Sequence, residues 1–167
     1  MSPLNTKSQI EIEALLSEFN RVRGELIEAV SSVPADLRDE PFIGTWDVKD
    51  VVAHTVGWDY TNIEALPDFR EGRLPAFFAR YDPDWAGINA CLVARYRNQD
   101  WEALMTSLRE SQRVFVEAMR GLTDADLGNV VLWEGRHVSL RGMMRAVSRD
   151  ESEHVAQIHA FLAGRSP

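Results

Sequence analysis

The stretch "LRGMMRAVSRDESEHVAQIHAFL", residues 140–162, decides how the rest of the chain is read. Met143, Val147, Asp150, His154, Ile158 and Phe161 recur at intervals of three and four, the period of one helix face. A helix is predicted from about Leu140 to Leu162, with Gly164 as its stop. Its inward stripe carries an aspartate and a histidine where apolar residues are expected. Asp150 and His154 lie four apart and stack one above the other. His159 follows His154 by five positions, which turns it about 140° away, so it is left out. Groups of this kind are costly to bury unless they are paired or hold an ion.

Working outward, "GTWDVKDVVAHTVGWDYTNIEAL", residues 44–66, reads as a second helix. Thr45 or Asp47 is its N-cap, and Pro67 closes the pattern. His54 falls between Val51 and Trp58 on its apolar stripe and points inward. Residues 5–32 form a first amphipathic helix through Leu15, Leu16, Phe19, Val22, Leu26 and Val30, with charged residues between them. Residues 86–122 form a third helical region, bent near Asn98–Asp100. The aromatic, Pro- and Gly-containing residues 67–85 are a structured connection between helices 2 and 3, and 130–139 contains a short hairpin-like piece. The expected fold is all-α, an antiparallel four-helix bundle forming a single domain over 1–167.

The bulk numbers narrow the function. The chain has 167 residues, 45% of them hydrophobic and 26% charged, as in ordinary globular proteins. A net charge of −8 argues against nucleic acid or an anionic membrane as partner, since both need a basic surface. No apolar run reaches the roughly 18 residues of a membrane span. The opening residues contain no signal-peptide pattern. One cysteine, Cys91, excludes a disulfide within the chain, so a cytoplasmic location is expected. Cys91 itself sits in an apolar helical stretch and reads as a buried, inert thiol. His137 reads as a solvated loop residue. Phosphate loops, nucleophile elbows and CxxC pairs are absent.

Three inward groups remain: His54, Asp150 and His154. Each alone suits a hydrogen-bonded core histidine or a salt bridge. Together, aimed at one core, they equally suit a metal site, because burying all three without a partner is expensive. Trp46, Trp58, Phe77, Phe78 and Tyr81 are expected to wall a substrate pocket near His54.

"GTWDVKDVVAHTVGWD" followed by "DESEHVAQI" resembles the DinB-like superfamily of four-helix bundles. Trp46, Lys49, Asp50, Ala53 and His54 match its second-helix motif, and His154, Gln157 and Ile158 match its last-helix motif. Asp150 stands where that superfamily usually has a histidine. The resemblance implies a divalent metal (zinc, nickel, iron or manganese) held by His54, Asp150 and His154, and pairing into a homodimer. "GRLPAFFARYDPDWAGINACLVARYRNQDW" after "VKDVVAHTVGW" is similar to the ClbS/DfsB branch. That similarity implies protection against a reactive, DNA-alkylating metabolite by hydrolysis of its electrophilic ring.

Two functions follow. In the first, a small electrophile is hydrolysed, or joined to a thiol cosubstrate, with help from a metal or from the Asp150–His154 pair as general base. In the second, the same pocket sequesters a small ligand without turnover.

Overall fold

The apolar periodicity is realised as helix along most of the chain. The computed structural model describes residues 4–81 and 84–165. In order they form α1 (Leu4–Ser31), α2 (Val48–Glu64), the short α3 (Leu66–Arg70) and α4 (Ala76–Tyr81), α5 (Trp85–Tyr96), α6 (Trp101–Arg120), the short α7 (Asp124–Gly128), a hairpin of β1 (Val130–Trp133) and β2 (Arg136–Ser139), and α8 (Leu140–Ala163). The fold is all-α apart from that hairpin, which falls where the sequence placed one. Its strands pair antiparallel, with Val130 opposite Ser139 and Trp133 opposite Arg136.

Local chemistry sets the helix starts. The Asp47 carboxylate accepts from the Asp50 N–H, and the Asp50 carboxylate accepts in return from the Asp47 N–H, a reciprocal cap that opens α2. Arg97, just past α5, donates to both carboxylates at 2.5 and 2.6 Å and ties the end of α5 to the start of α2. The bend expected near Asn98–Asp100 is a complete break between α5 and α6. Asp100 caps α6 by accepting from the Ala103 N–H, and Ser139 caps α8 by accepting from the Gly142 N–H.

Helix α1 packs on α8 and α6, and α2 packs on α5, α6 and α8. Cross-links along these seams give the helix directions. Glu11 bonds Arg141, and Arg23 bonds Glu151, so α1 and α8 run the same way. Asn20 bonds Gln112 and Phe19 stacks near Phe115, so α1 and α6 are opposed. The expected antiparallel arrangement therefore holds for α1 with α6 and for α2 with α8, but not for α1 with α8. The cause is α5. It runs back along α2 and returns the chain to the end where α2 began, so α6 starts level with α2. Close packing of α2 and α5 depends on Gly57, where an added Cβ would stand 2.7 Å from the Leu92 Cβ. Cys91 lies on the outer side of α5 and is exposed, contrary to the buried thiol expected, because Ile88, Leu92 and Val93 take the inner face.

The core is split in two. One apolar cluster gathers Leu16, Phe19, Phe69, Phe115, Met119 and Met144; the other gathers Leu26, Val30, Val52, Leu104, Leu108 and Ile158. Between them lies a polar layer built from four helices. Arg23, wholly buried, donates to Asp59 at 2.8 and 2.9 Å and to Glu151 at 2.9 and 2.6 Å, while the Ser111 hydroxyl donates to Asp59 at 2.6 Å. The sequence reading places the charged residues of α1 between its apolar positions. Arg23 is nonetheless buried, because two carboxylates neutralise it in the interior. Among the described residues, no helix is long and apolar enough to cross a membrane.

Candidate metal centre

His54, on α2, and His154, on α8, are both buried, and their rings lie edge to face with centroids 5.4 Å apart. Asp150 joins them from one turn earlier on α8. Its Oδ2 is 3.1 Å from His54 Nε2 and 3.7 Å from His154 Nε2. One donor atom from each of the three residues lies within 4.8 Å of the other two. The structure thus brings together the three residues singled out in the sequence. His159 is exposed and lies outside the cluster, as does His137.

Asp150 is not core-facing as expected: its side chain is 53% exposed. The buried face of α8 runs through Leu140, Met144, Ser148, Glu151, His154 and Ile158, which leaves Met143, Val147 and Asp150 on the flank. The polar residues Ser148 and Glu151 disguise that face in the sequence. The flank position suits a ligand-presenting carboxylate, since it faces a cavity rather than the packed interior.

The electrostatics follow from this placement. Burial pushes the His154 imidazole below its ordinary value and so favours its neutral form. At Asp150, burial acts upward, but the hydrogen bond with His54 and the charges of His54 and His154 outweigh it and hold the carboxyl below its usual range. Burial raises the Glu151 carboxyl to about 7, against the opposing pull of Arg23.

The Gln157 side chain fixes His154. Its Oε1 lies 2.9 Å from His154 Nδ1 and, being a carbonyl oxygen, accepts the ring proton there. The Nε2 lone pair is then left buried and without a hydrogen-bond partner among the described residues; His54 Nδ1 is likewise unpartnered. Donor atoms sharing one ion at about 2.1 Å stand roughly 3 to 3.5 Å apart. The 3.1 Å contact of Asp150 with His54 falls in that range, and the 3.7 Å contact with His154 lies just above it. The orphaned nitrogen, the set of two imidazoles and a carboxylate, and the Gln157 support fit a divalent ion.

A cavity of about 600 Å³ opens beside this cluster, and His54 and Asp150 line it. Trp58, Phe77 and Phe78 line it, and Trp85 joins them. Trp46 does not. Its ring lies over the imidazoles, 5.0 Å from His54 and 6.4 Å from His154, and covers them from another side. The side chain of Tyr81 lies outside the described residues.

A sequence profile of the DinB superfamily matches residues 18–158. The chain belongs to the DinB superfamily. Comparison with curated proteins and with solved structures gave no significant match. The DinB match begins within α1 and ends at Ile158, so it contains all three candidate donors as well as Arg23, Asp59, Ser111 and Glu151. Proteins of the DinB type are often metal-binding, and His54, Asp150 and His154 can form such a site here.

Proposed function

We propose that this DinB-superfamily chain, folded as one four-helix-bundle domain, holds a divalent metal at His54, Asp150 and His154. It uses the site to act on a small, largely apolar electrophile, by hydrolysis or by addition of a thiol cosubstrate. The observation that carries this is the unpartnered His154 Nε2, held by Gln157 beside the Asp150 carboxylate at the edge of the cavity. A divalent ion bound there supplies Lewis acidity and lowers the pKa of a water or thiol that it binds.

The residues of the chain do the rest. Trp58, Phe77, Phe78 and Trp85 offer an apolar wall to the body of the substrate and exclude water from it. Without the ion, Asp150, half exposed at the rim, is placed to accept a proton from an entering water or thiol, and a hydrogen bond from His54 Nε2 stabilises its ionised carboxylate. Zinc, nickel, iron and manganese all suit two imidazoles and a carboxylate. The resemblance to the ClbS/DfsB branch supports a toxic metabolite as the substrate in a cytoplasmic setting. Pairing into a homodimer belongs to the same proposal, with the exposed apolar Val130 and Leu132 of the hairpin as a surface to cover.

Turnover of a model epoxide, with and without added thiol, tests the enzyme proposal. Activity in the native chain that is lost in His54→Ala supports it. Binding of the epoxide without product in the metal-loaded protein leaves the sequestering function instead.

A further inference from the structure

The cavity extends well beyond the three donors. His54, Trp58 and Asn62 stand at intervals of four on α2, and all three line it. Eight residues of helix put about 12 Å between the first and the last. The cavity therefore runs along α2, with the candidate metal centre at one end and Asn62 towards the other.

Asn62 is only 3% exposed, yet its side-chain amide makes no hydrogen bond among the described residues. Unlike His54 Nδ1 and His154 Nε2, its amide atoms are not sealed off, so they open onto the cavity, where water or a ligand is left to pair them. Several other polar residues lining the cavity are already engaged. Every carboxylate oxygen of Asp59 and Glu151 accepts from Arg23 or Ser111. Asn89 Oδ1 accepts from Trp58 Nε1 at 2.9 Å. Asn62 thus presents both a donor and an acceptor to the cavity.

We propose that Asn62 is a specificity-determining residue that reads a neutral amide group of the ligand, about two helical turns from the metal centre. An amide matches it because it too offers one donor and one acceptor side by side. An anion finds no free counter-charge in Arg23, whose guanidinium is already bound to Asp59 and Glu151. The ligand is then elongated, with its electrophilic carbon at the His54 end, an apolar body along Trp58, and the amide at Asn62. The location of the electrophile rests on the function proposed above; recognition of the amide does not.

The test uses the full chain stripped of metal with EDTA, titrated with hexanamide, hexanoate and hexylamine, and read by fluorescence of the tryptophans lining the cavity. Hexanamide is expected to bind about tenfold more tightly than the other two. That preference should vanish in Asn62→Leu, and equally in Asn62→Ser, whose smaller side chain guards against a folding failure. His54→Ala should keep the preference while losing metal uptake. A preference for hexanoate or hexylamine, no binding of hexanamide, or an amide preference surviving both Asn62 variants would overturn the assignment. Amide preference without metal uptake in the native chain would sink the metal proposal and leave Asn62 standing.

Discussion

His54 Nε2 lies 3.1 Å from Asp150 Oδ2, although 96 positions separate the two residues in the chain. The contact joins α2 to α8 at the mouth of the cavity, and its geometry depends on how those two helices are held. Several residues far from the contact therefore bear on it.

Gln157 is the nearest of these. Its Oε1 accepts a hydrogen bond from His154 Nδ1–H and leaves Nε2 free to act as a ligand. Replacing Gln157 with Leu should weaken zinc binding by roughly 10- to 100-fold while the fold persists. Calorimetric titration of the metal-free variant with zinc checks this; unchanged affinity would mean that Gln157 plays no supporting part.

Arg23 holds the polar layer. Arg23→Met leaves the buried Asp59 and Glu151 carboxylates without their counter-charge, and should destabilise the chain by about 3–5 kcal/mol. The double change Arg23→Met with Glu151→Gln should recover part of that loss, because one uncompensated charge is removed. Urea denaturation of both variants measures the difference.

Much of this was legible in the sequence, and the gaps have a common cause. Helical periodicity placed α1, α2 and α8 closely and put His54 and His154 inward, because apolar residues mark those faces plainly. The inner face of α8 was misjudged by one residue, with Asp150 assigned to the core in place of Glu151. A buried carboxylate looks like a solvated one until its partner is known, and its partner, Arg23, is 128 positions away. The direction of α6 escaped for a similar reason. Residues 86–122 read as one bent helix, whereas the break at Asp100 turns the chain round.

Gly57 tests the crossover. In Gly57→Ala the new methyl would stand 2.7 Å from the Leu92 Cβ, an atom fixed to its own backbone. The helices must separate, at a cost of about 1–3 kcal/mol. Leu92→Ala leaves a Cβ in the same place and should not relieve it, whereas Leu92→Gly should. Thermal melts of the three combinations distinguish steric clash from lost helix flexibility.

Asp126 gives a pH dependence whose sign is fixed. Burial acts to raise its carboxyl, but hydrogen bonds from Thr123 and the nearby Arg70 hold it below its ordinary value of 3.8. The unfolded chain then binds the proton more readily than the folded one. Asp126 therefore contributes stability that is present above about pH 3.8 and is lost as pH falls from there through its lowered folded value. The melting-temperature difference between the native chain and Asp126→Asn should shrink as pH is lowered from 6 to 3. A difference that stays constant would show that the ionised carboxylate contributes nothing.

The most direct measurement is the metal content of the full chain, expressed without a histidine tag and analysed by elemental mass spectrometry beside its His54→Ala, His154→Ala and His159→Ala variants. The account predicts close to one divalent ion per chain in the native protein and in His159→Ala, and almost none in the other two. A native protein that takes up no ion even after incubation with zinc, nickel, iron(II) and manganese, or equal uptake in all four proteins, would contradict it.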